Sequence, residues 1–255
     1  MGYDSFRQAF GTELDPDGNP RISAPWQTGV LNGVQAGSII GLWLNGYISE
    51  WLGYKKTMYG ALFLSAAFNF IHFFAGSIGQ IVAGSVLLGL PWGVFQTLTV
   101  SYASDIMPST LRPYLTTYIN ICWVMGQLIA SGVLRDCQTI NNDWGWRIPF
   151  AIQWFWVPFI FAGAWFAPES PWWLVRKGRY EEARDSLLRL TRPSNNVHFD
   201  VDNAIALIKH TNELEKATNA GVGYSDCFRG VERRRTLIAC VVWLTQALCG
   251  AAMMG

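Results

Sequence analysis

The chain has 255 residues, of which 51% are apolar, 15% aromatic and only 15% charged, against about 25% charged residues in soluble globular domains. A net charge of +1 and the lack of a basic patch interleaved with exposed aromatics argue against a nucleic-acid partner. No Ser-His-Asp order, HExxH or P-loop run occurs, and the five cysteines show no metal or redox spacing, so no enzyme, cofactor or metal site is expected.

In chain order, residues 5–26 are polar, carry turn signals at Pro16-Asp17-Gly18-Asn19-Pro20 and read as an extracellular loop, with no targeting peptide before them. Apolar stretches long enough to cross about 30 Å of hydrocarbon follow at 28–48, 57–76, 81–103, 115–134, 149–167 and 236–255. Between the last two lies a polar block that must sit outside the bilayer. The expected organisation is therefore an amino-terminal segment over 1–27, five membrane helices within 28–167, a loop over 168–235 and a further span beginning at 236. Lys55, Lys56, Arg112 and the twelve cations from Arg176 to Arg235 fall on one side, and Arg7, Arg21, Arg135 and Arg147 on the other. Short basic loops stay cytoplasmic, so the basic side is expected inside. Cys137 and Cys227 then lie on opposite sides and Cys122, Cys240 and Cys249 within spans, so no disulfide is expected.

Within 28–48, Gly29, Gly33, Gly37 and Gly41 recur every four residues. This small-residue stripe admits a neighbouring backbone closely, and helix packing outweighs a substrate role for it. Gly89 and Gly93 repeat the pattern. In 115–134, Asn120, Gln127 and Ser131 share a face by their spacing. Polar groups in hydrocarbon are expensive and should face a cavity or one another. A neutral ligand bearing hydroxyls would offer groups that donate and accept and C–H faces that stack on rings. Asn120, Gln127 and Gln246, then Gln35 and Gln96, with Trp92 as a stacking surface, supply that chemistry without charge; interhelical bonding is the competing role for each. His72 falls within a span, and His198 and His210 in the polar block. In that block, 180–190 carries Ala183, Leu187 and Leu190 on one face, and 200–215 carries Ala204, Leu207, Ile208 and Leu214. These predict two amphipathic helices lying against the ends of the bundle, the first supported by an Asp185–Arg189 pair, with a break at 191–195.

The run Pro168-Glu169-Ser170-Pro171-Trp172-Trp173-Leu174-Val175-Arg176-Lys177-Gly178-Arg179 resembles the signature that closes the sixth helix in sugar porters of the major facilitator superfamily. Its Trp172 variant is similar to fungal maltose and other α-glucoside permeases. Gly46-Tyr47-Ile48-Ser49-Glu50-Trp51-Leu52-Gly53-Tyr54-Lys55-Lys56 resembles the superfamily's loop after helix two, and Asp105-Ile106-Met107-Pro108-Ser109-Thr110-Leu111-Arg112 its echo after helix four. The resemblance implies an all-α fold: a polytopic membrane helix bundle, an incomplete major facilitator architecture with a cytoplasmic helical segment. It implies transport of a small neutral sugar, α-glucoside or hexose, by alternating access, with a proton as coupling ion, in a multi-pass protein of the plasma membrane.

Gly2-Tyr3-Asp4 is similar to the Gly-Tyr-Asp of the family's first helix, making Asp4 the proton-coupling candidate. The rest of that helix is missing, and the chain closes at the seventh helix, so about half a transporter is expected. Asn120 stands where relatives place a sugar-binding Gln, and Gln246 matches the first Gln of the Gln-Gln-Leu-Ser-Gly motif, with Ala247 and Cys249 as departures. Ser85 stands where α-glucoside permeases carry an acid. Glu50, Lys55, Asp105, Arg112, Glu169 and Arg179 match a charge network that ties the cytoplasmic helix ends together, and they should cluster in space. The alternatives are a sugar sensor that signals without transport and a transport-incompetent fragment.

Overall fold

The computed structural model describes residues 4–14, 19–108, 110–138, 140, 142, 144–191, 200–218 and 228–246. It divides into two compact units, 1–205 and 206–255, and each is described by itself.

The amino-terminal stretch departs from the expected loop. It forms a short helix, α1 (Asp4–Phe10), and a two-stranded hairpin in which β1 (Glu13–Leu14) pairs antiparallel with β2 (Pro20–Arg21). The reason lies in three apolar side chains that a polar average hides. Phe6 and Phe10 are one helical turn apart, and with Ile22 they are buried against Ala75, Ile81 and Trp146. The Phe6 and Phe10 rings meet Trp146 edge-on at 6.2 and 5.1 Å, a favoured aromatic geometry.

Five long helices follow: α2 (Ala24–Leu52), α3 (Tyr54–Phe73), α4 (Ile78–Ile106), α5 (Arg112–Cys137) and α6 (Trp144–Phe166). Each covers most or all of an expected apolar stretch and extends it by several residues at one or both ends. Pro25 sits in the first turn of α2, where a missing N–H costs nothing. Gly53, at φ +92°, ends α2 and permits the sharp entry into α3. Ser77 caps α4 by accepting from the Gln80 backbone N–H at 3.4 Å. Among the described residues, α4, α5 and α6 are long and apolar enough to cross a membrane. At 29 and 20 residues, α2 and α3 also have the length for a span.

That packing is closest between α2 and α4. A Cβ on Gly37 would lie 2.0 Å from the Val86 carbonyl oxygen, on Gly41 2.1 Å from Leu90 O, on Gly89 2.3 Å from Val34 O and on Gly93 2.2 Å from Ser38 O. The partner demanded by the glycine stripe is thus the second glycine stripe, and the two backbones touch. Asn45 of α2 donates to Thr97 Oγ1 of α4 at 2.7 Å, and Asn69 of α3 donates to the Phe150 carbonyl of α6 at 2.7 Å. His72 stacks on Phe150 and its Nε2 lies 3.2 Å from Ser85 Oγ, which donates to Ile81 O. Asn45, Asn69 and His72 thus each spend one polar atom on a neighbouring helix, while Asn45 Oδ1, Asn69 Oδ1 and His72 Nδ1 are buried without a hydrogen-bond partner.

After α6 come α7 (Pro171–Arg176) and α8 (Tyr180–Leu190), then α9 (Val201–Thr218) and α10 (Gly230–Gln246). Ser170 caps α7 by accepting from Trp173 N at 3.3 Å, and Asp200 caps α9 through the Asp202 and Asn203 N–H groups. On α8, Ala183 is buried as expected from its face, joined by Ser186. The expected Asp185–Arg189 pair is replaced: Arg189 donates to the Phe166 carbonyl at 3.0 Å, because that helix-end carbonyl needs a donor. On α9, Ile208 is buried, whereas Leu207 and Leu214 are exposed. The last helix begins at 230, six residues before the expected 236, so Arg233, Arg234 and Arg235 lie inside it rather than before it. The break at 191–195 falls, apart from Thr191, outside the described residues, as does Cys227.

Candidate functional site

Two constellations carry the chemistry that the sequence pointed to. The first is an uncharged polar and aromatic strip on α4 and α5. Trp92 of α4 is 49% exposed, and its ring lies 6.1 Å from that of Trp123 on α5, inclined at 56°. Helical spacing puts Asn120 three residues before Trp123 and Gln127 four after it, on the same face. Both amides are exposed. Gln96, half-buried, follows Trp92 by one turn on α4. The Trp92–Trp123 contact joins the faces of α4 and α5 on which these four expected residues lie. Trp123 itself was missed, although its spacing of three and four from Asn120 and Gln127 was readable. Ser131 donates to its own helix, at the Gln127 carbonyl, which spends its hydroxyl proton.

Gln35 does not join this strip. It lies on α2 two residues from Gly33 and Gly37, on the face turned away from α4. Gln246 ends α10 in the second unit, and its side chain, like that of Asp4 in α1, lies outside the described residues.

The second constellation gathers at the end of the first unit where α2, α4 and α6 stop and α3 starts. Glu169 accepts from the backbone N–H of Tyr54 at 3.1 Å and from that of Lys55 at 3.3 Å. Burial pushes its carboxyl above the ordinary value, against the opposing pull of the Ser170, Lys55 and Tyr54 N–H groups and of the Lys55 charge. Asp105 accepts from Ser170 Oγ at 2.7 Å, and Tyr102 donates to the Pro168 carbonyl at 2.6 Å. Trp173 Nε1 donates to Glu50 O at 2.9 Å. The Glu50 carboxylate pairs with Arg176 at 3.3 Å and Lys177 at 3.7 Å, exposed contacts worth about 0–1 kcal/mol each.

Glu50, Lys55, Asp105 and Glu169 thus meet around α7, and Arg112 opens α5. Arg179 is used differently. It is held by Glu182, with Nε donating to Oε1 at 2.7 Å, and lies over the Trp173 ring. Arg176 and Lys177, three and two residues earlier, reach α2 in its place. The reason is local: Arg179 immediately precedes α8, one turn from Glu182, and Gly178 at φ +75° turns the chain between the two sets of cations. Tyr54, Ser170 and Trp173 also belong to this cluster, and only their place in the runs 46–56 and 168–179 hinted at them.

These features describe a helix bundle of the membrane, with most of its charge at one end and polar side chains bonded from helix to helix inside. Residues 3–255 match the family Sugar (and other) transporter, and the chain belongs to it. It is 46% identical over 255 residues to an alpha-glucosides permease of Saccharomyces cerevisiae, a match covering 98% of this chain and 42% of that protein. It is also 44% identical over 254 residues to a maltose permease of the same yeast, covering 98% and 41%. The chain therefore spans about two fifths of the length of these relatives. Among solved structures, the proton:xylose symporter XylE bound to 6-bromo-6-deoxy-D-glucose superposes with a TM-score of 0.73 at 21% identity, covering 87% of this chain and 51% of that one. Inward-open XylE from E. coli gives 0.66 at 22% identity, covering 82% and 50%. The fold is that of a major facilitator helix bundle, incomplete, in an integral membrane protein; the family is one of transporters, not enzymes.

Proposed function

We propose that the chain forms part of a sugar transporter of the plasma membrane, taking an α-glucoside or hexose by alternating access with a proton as coupling ion. The observation that carries the reading is the Trp92–Trp123 pair flanked by the exposed amides of Asn120 and Gln127. Rings stack on the C–H faces of a sugar, and amides both donate to and accept from its hydroxyls. No charged residue is needed for a neutral substrate. The yeast relatives named for α-glucosides and maltose favour a glucoside over a pentose. In this reading α4 and α5 provide one wall of the sugar path, and the cluster around Glu169 holds the cytoplasmic ends of α2, α3, α4 and α6 together in one conformation. Charge-assisted bonds at a partly dry interface are strong enough for such a latch.

The test is a maltose titration of the purified chain in lipid nanodiscs, read by tryptophan fluorescence, beside uptake of radiolabelled maltose by proteoliposomes with and without an inward proton gradient. Quenching is expected to saturate with maltose, and Trp123→Ala or Asn120→Ala to weaken it about tenfold, the worth of one or two hydrogen bonds or one stacked ring. Unchanged affinity in both variants at normal folding would assign the strip to helix packing.

A further inference from the structure

The end of α6 carries an arrangement outside the sugar strip. A helix leaves its last carbonyls without intrahelical donors, and here side chains from elsewhere supply them. Tyr59 donates to Ala164 O at 3.2 Å, Lys55 Nζ to Trp165 O at 2.7 Å and to Ala167 O at 3.0 Å, and Arg189 to Phe166 O at 3.0 Å. Two cations from distant parts of the sequence, one on α3 and one on α8, are thereby fixed side by side. Between them opens a groove of about 440 Å³ lined by Lys55, Tyr59, Trp165, Phe166 and Arg189.

We propose that this groove binds the phosphate headgroup of an anionic phospholipid. Among the described residues neither Lys55 nor Arg189 has a carboxylate within ion-pair distance. The Glu169 carboxylate is occupied by the backbone N–H groups of Tyr54, Lys55 and Ser170. Carbonyl oxygens orient the two cations without cancelling their charge, and both keep N–H donors to spend, since an ammonium has three and a guanidinium five. The rest of the groove suits a lipid rather than a soluble anion. Trp165 is 61% and Phe166 75% exposed, and Tyr59, Phe161 and Trp165 form a continuous aromatic patch with centroid distances of 4.8 to 6.4 Å. Amphipathic rings settle at headgroup depth, so acyl chains can run along the apolar flank of α6 while the phosphate sits between Lys55 and Arg189. Anionic lipid is enriched in the leaflet that basic loops face.

The experiment is native mass spectrometry of the full chain, released from detergent after titration with phosphatidylserine, phosphatidylcholine or inorganic phosphate. Phosphatidylserine is expected to be retained preferentially. Arg189→Gln should weaken its retention about fivefold and Lys55→Gln with Arg189→Gln about 25-fold, at roughly fivefold per basic residue near a membrane surface; Arg189→Lys should restore most of the loss. Arg184→Gln, which removes an exposed cation paired with Asp202, should leave retention unchanged. Equal retention of the two lipids, competition by inorganic phosphate at the same concentration, or an equal loss in Arg184→Gln would each overturn the site. Melting curves of every variant show whether it is folded, so that a loss in Arg189→Gln at an unchanged melting temperature counts as binding.

Discussion

At the scale of single residues, Glu169 shows how a loop acid becomes a structural part. Its oxygens face three backbone N–H groups, yet burial outweighs them and raises its carboxyl above the ordinary 4.5. The folded chain therefore holds this proton more tightly than the unfolded chain does, and stability falls as pH rises from 4.5 through the raised value. Below 4.5 the contribution is fully present. Glu169→Gln is expected to flatten that part of the curve, seen as a smaller drop in melting temperature between pH 4 and pH 7 than in the parent. An equal drop in both would place the pH response elsewhere. Glu169 was visible in the sequence because it stands in a recognisable run. Ser186, whose hydroxyl donates to the Glu169 carbonyl at 2.5 Å, was not, since nothing in the spacing of α8 says which loop it will meet.

At the scale of elements, periodicity told which face of a helix is special, and structure was needed to say what meets it. The four-residue glycine spacing in α2 called for a tight neighbour, and α4 is that neighbour because Gly89 and Gly93 remove side chains at the same depth. Gly37→Ala would put a methyl carbon 2.0 Å from the Val86 carbonyl oxygen. Backbone cannot rotate away as a side chain can, so this substitution should cost on the order of 1–3 kcal/mol. Gly46 lies on the same helix with nothing within 4 Å, so Gly46→Ala should be neutral or stabilise by up to about 1 kcal/mol through helix propensity. Thermal unfolding of the two variants beside the parent checks the contrast; similar melting temperatures would mean that α2 and α4 are not held backbone to backbone. The same limit explains why α1 was read as loop. Phe6 and Phe10 make one turn of a stripe too short to register as a period, and their partner Trp146 is more than a hundred residues away.

At the scale of the whole first unit, the helix ends sort into two groups. Ile22, Ala75, Ile81 and Trp146, near the start of α2, the end of α3 and the starts of α4 and α6, are buried together with Phe6 and Phe10. Glu50, Tyr54, Asp105 and Ala167, at the opposite ends of these helices, meet around Glu169 and α7 through the hydrogen bonds and ion pairs described above. Successive helices therefore run up and down, as the alternation of apolar stretches and charged loops led one to expect. Along the sequence the cations flanking the apolar stretches divide between the two expected sides as fifteen against four, and short basic loops resist translocation, so the end with Glu169 should face the cytoplasm. In a cysteine-free chain expressed in intact cells, Thr12→Cys on the hairpin, an exposed position, is expected to react with an impermeant maleimide. Glu181→Cys on α8, also exposed, is expected to react only after the membrane is permeabilised. Labelling of Glu181→Cys from outside, with Thr12→Cys protected, would invert the orientation and move the lipid site to the outer leaflet, where anionic headgroups are scarce.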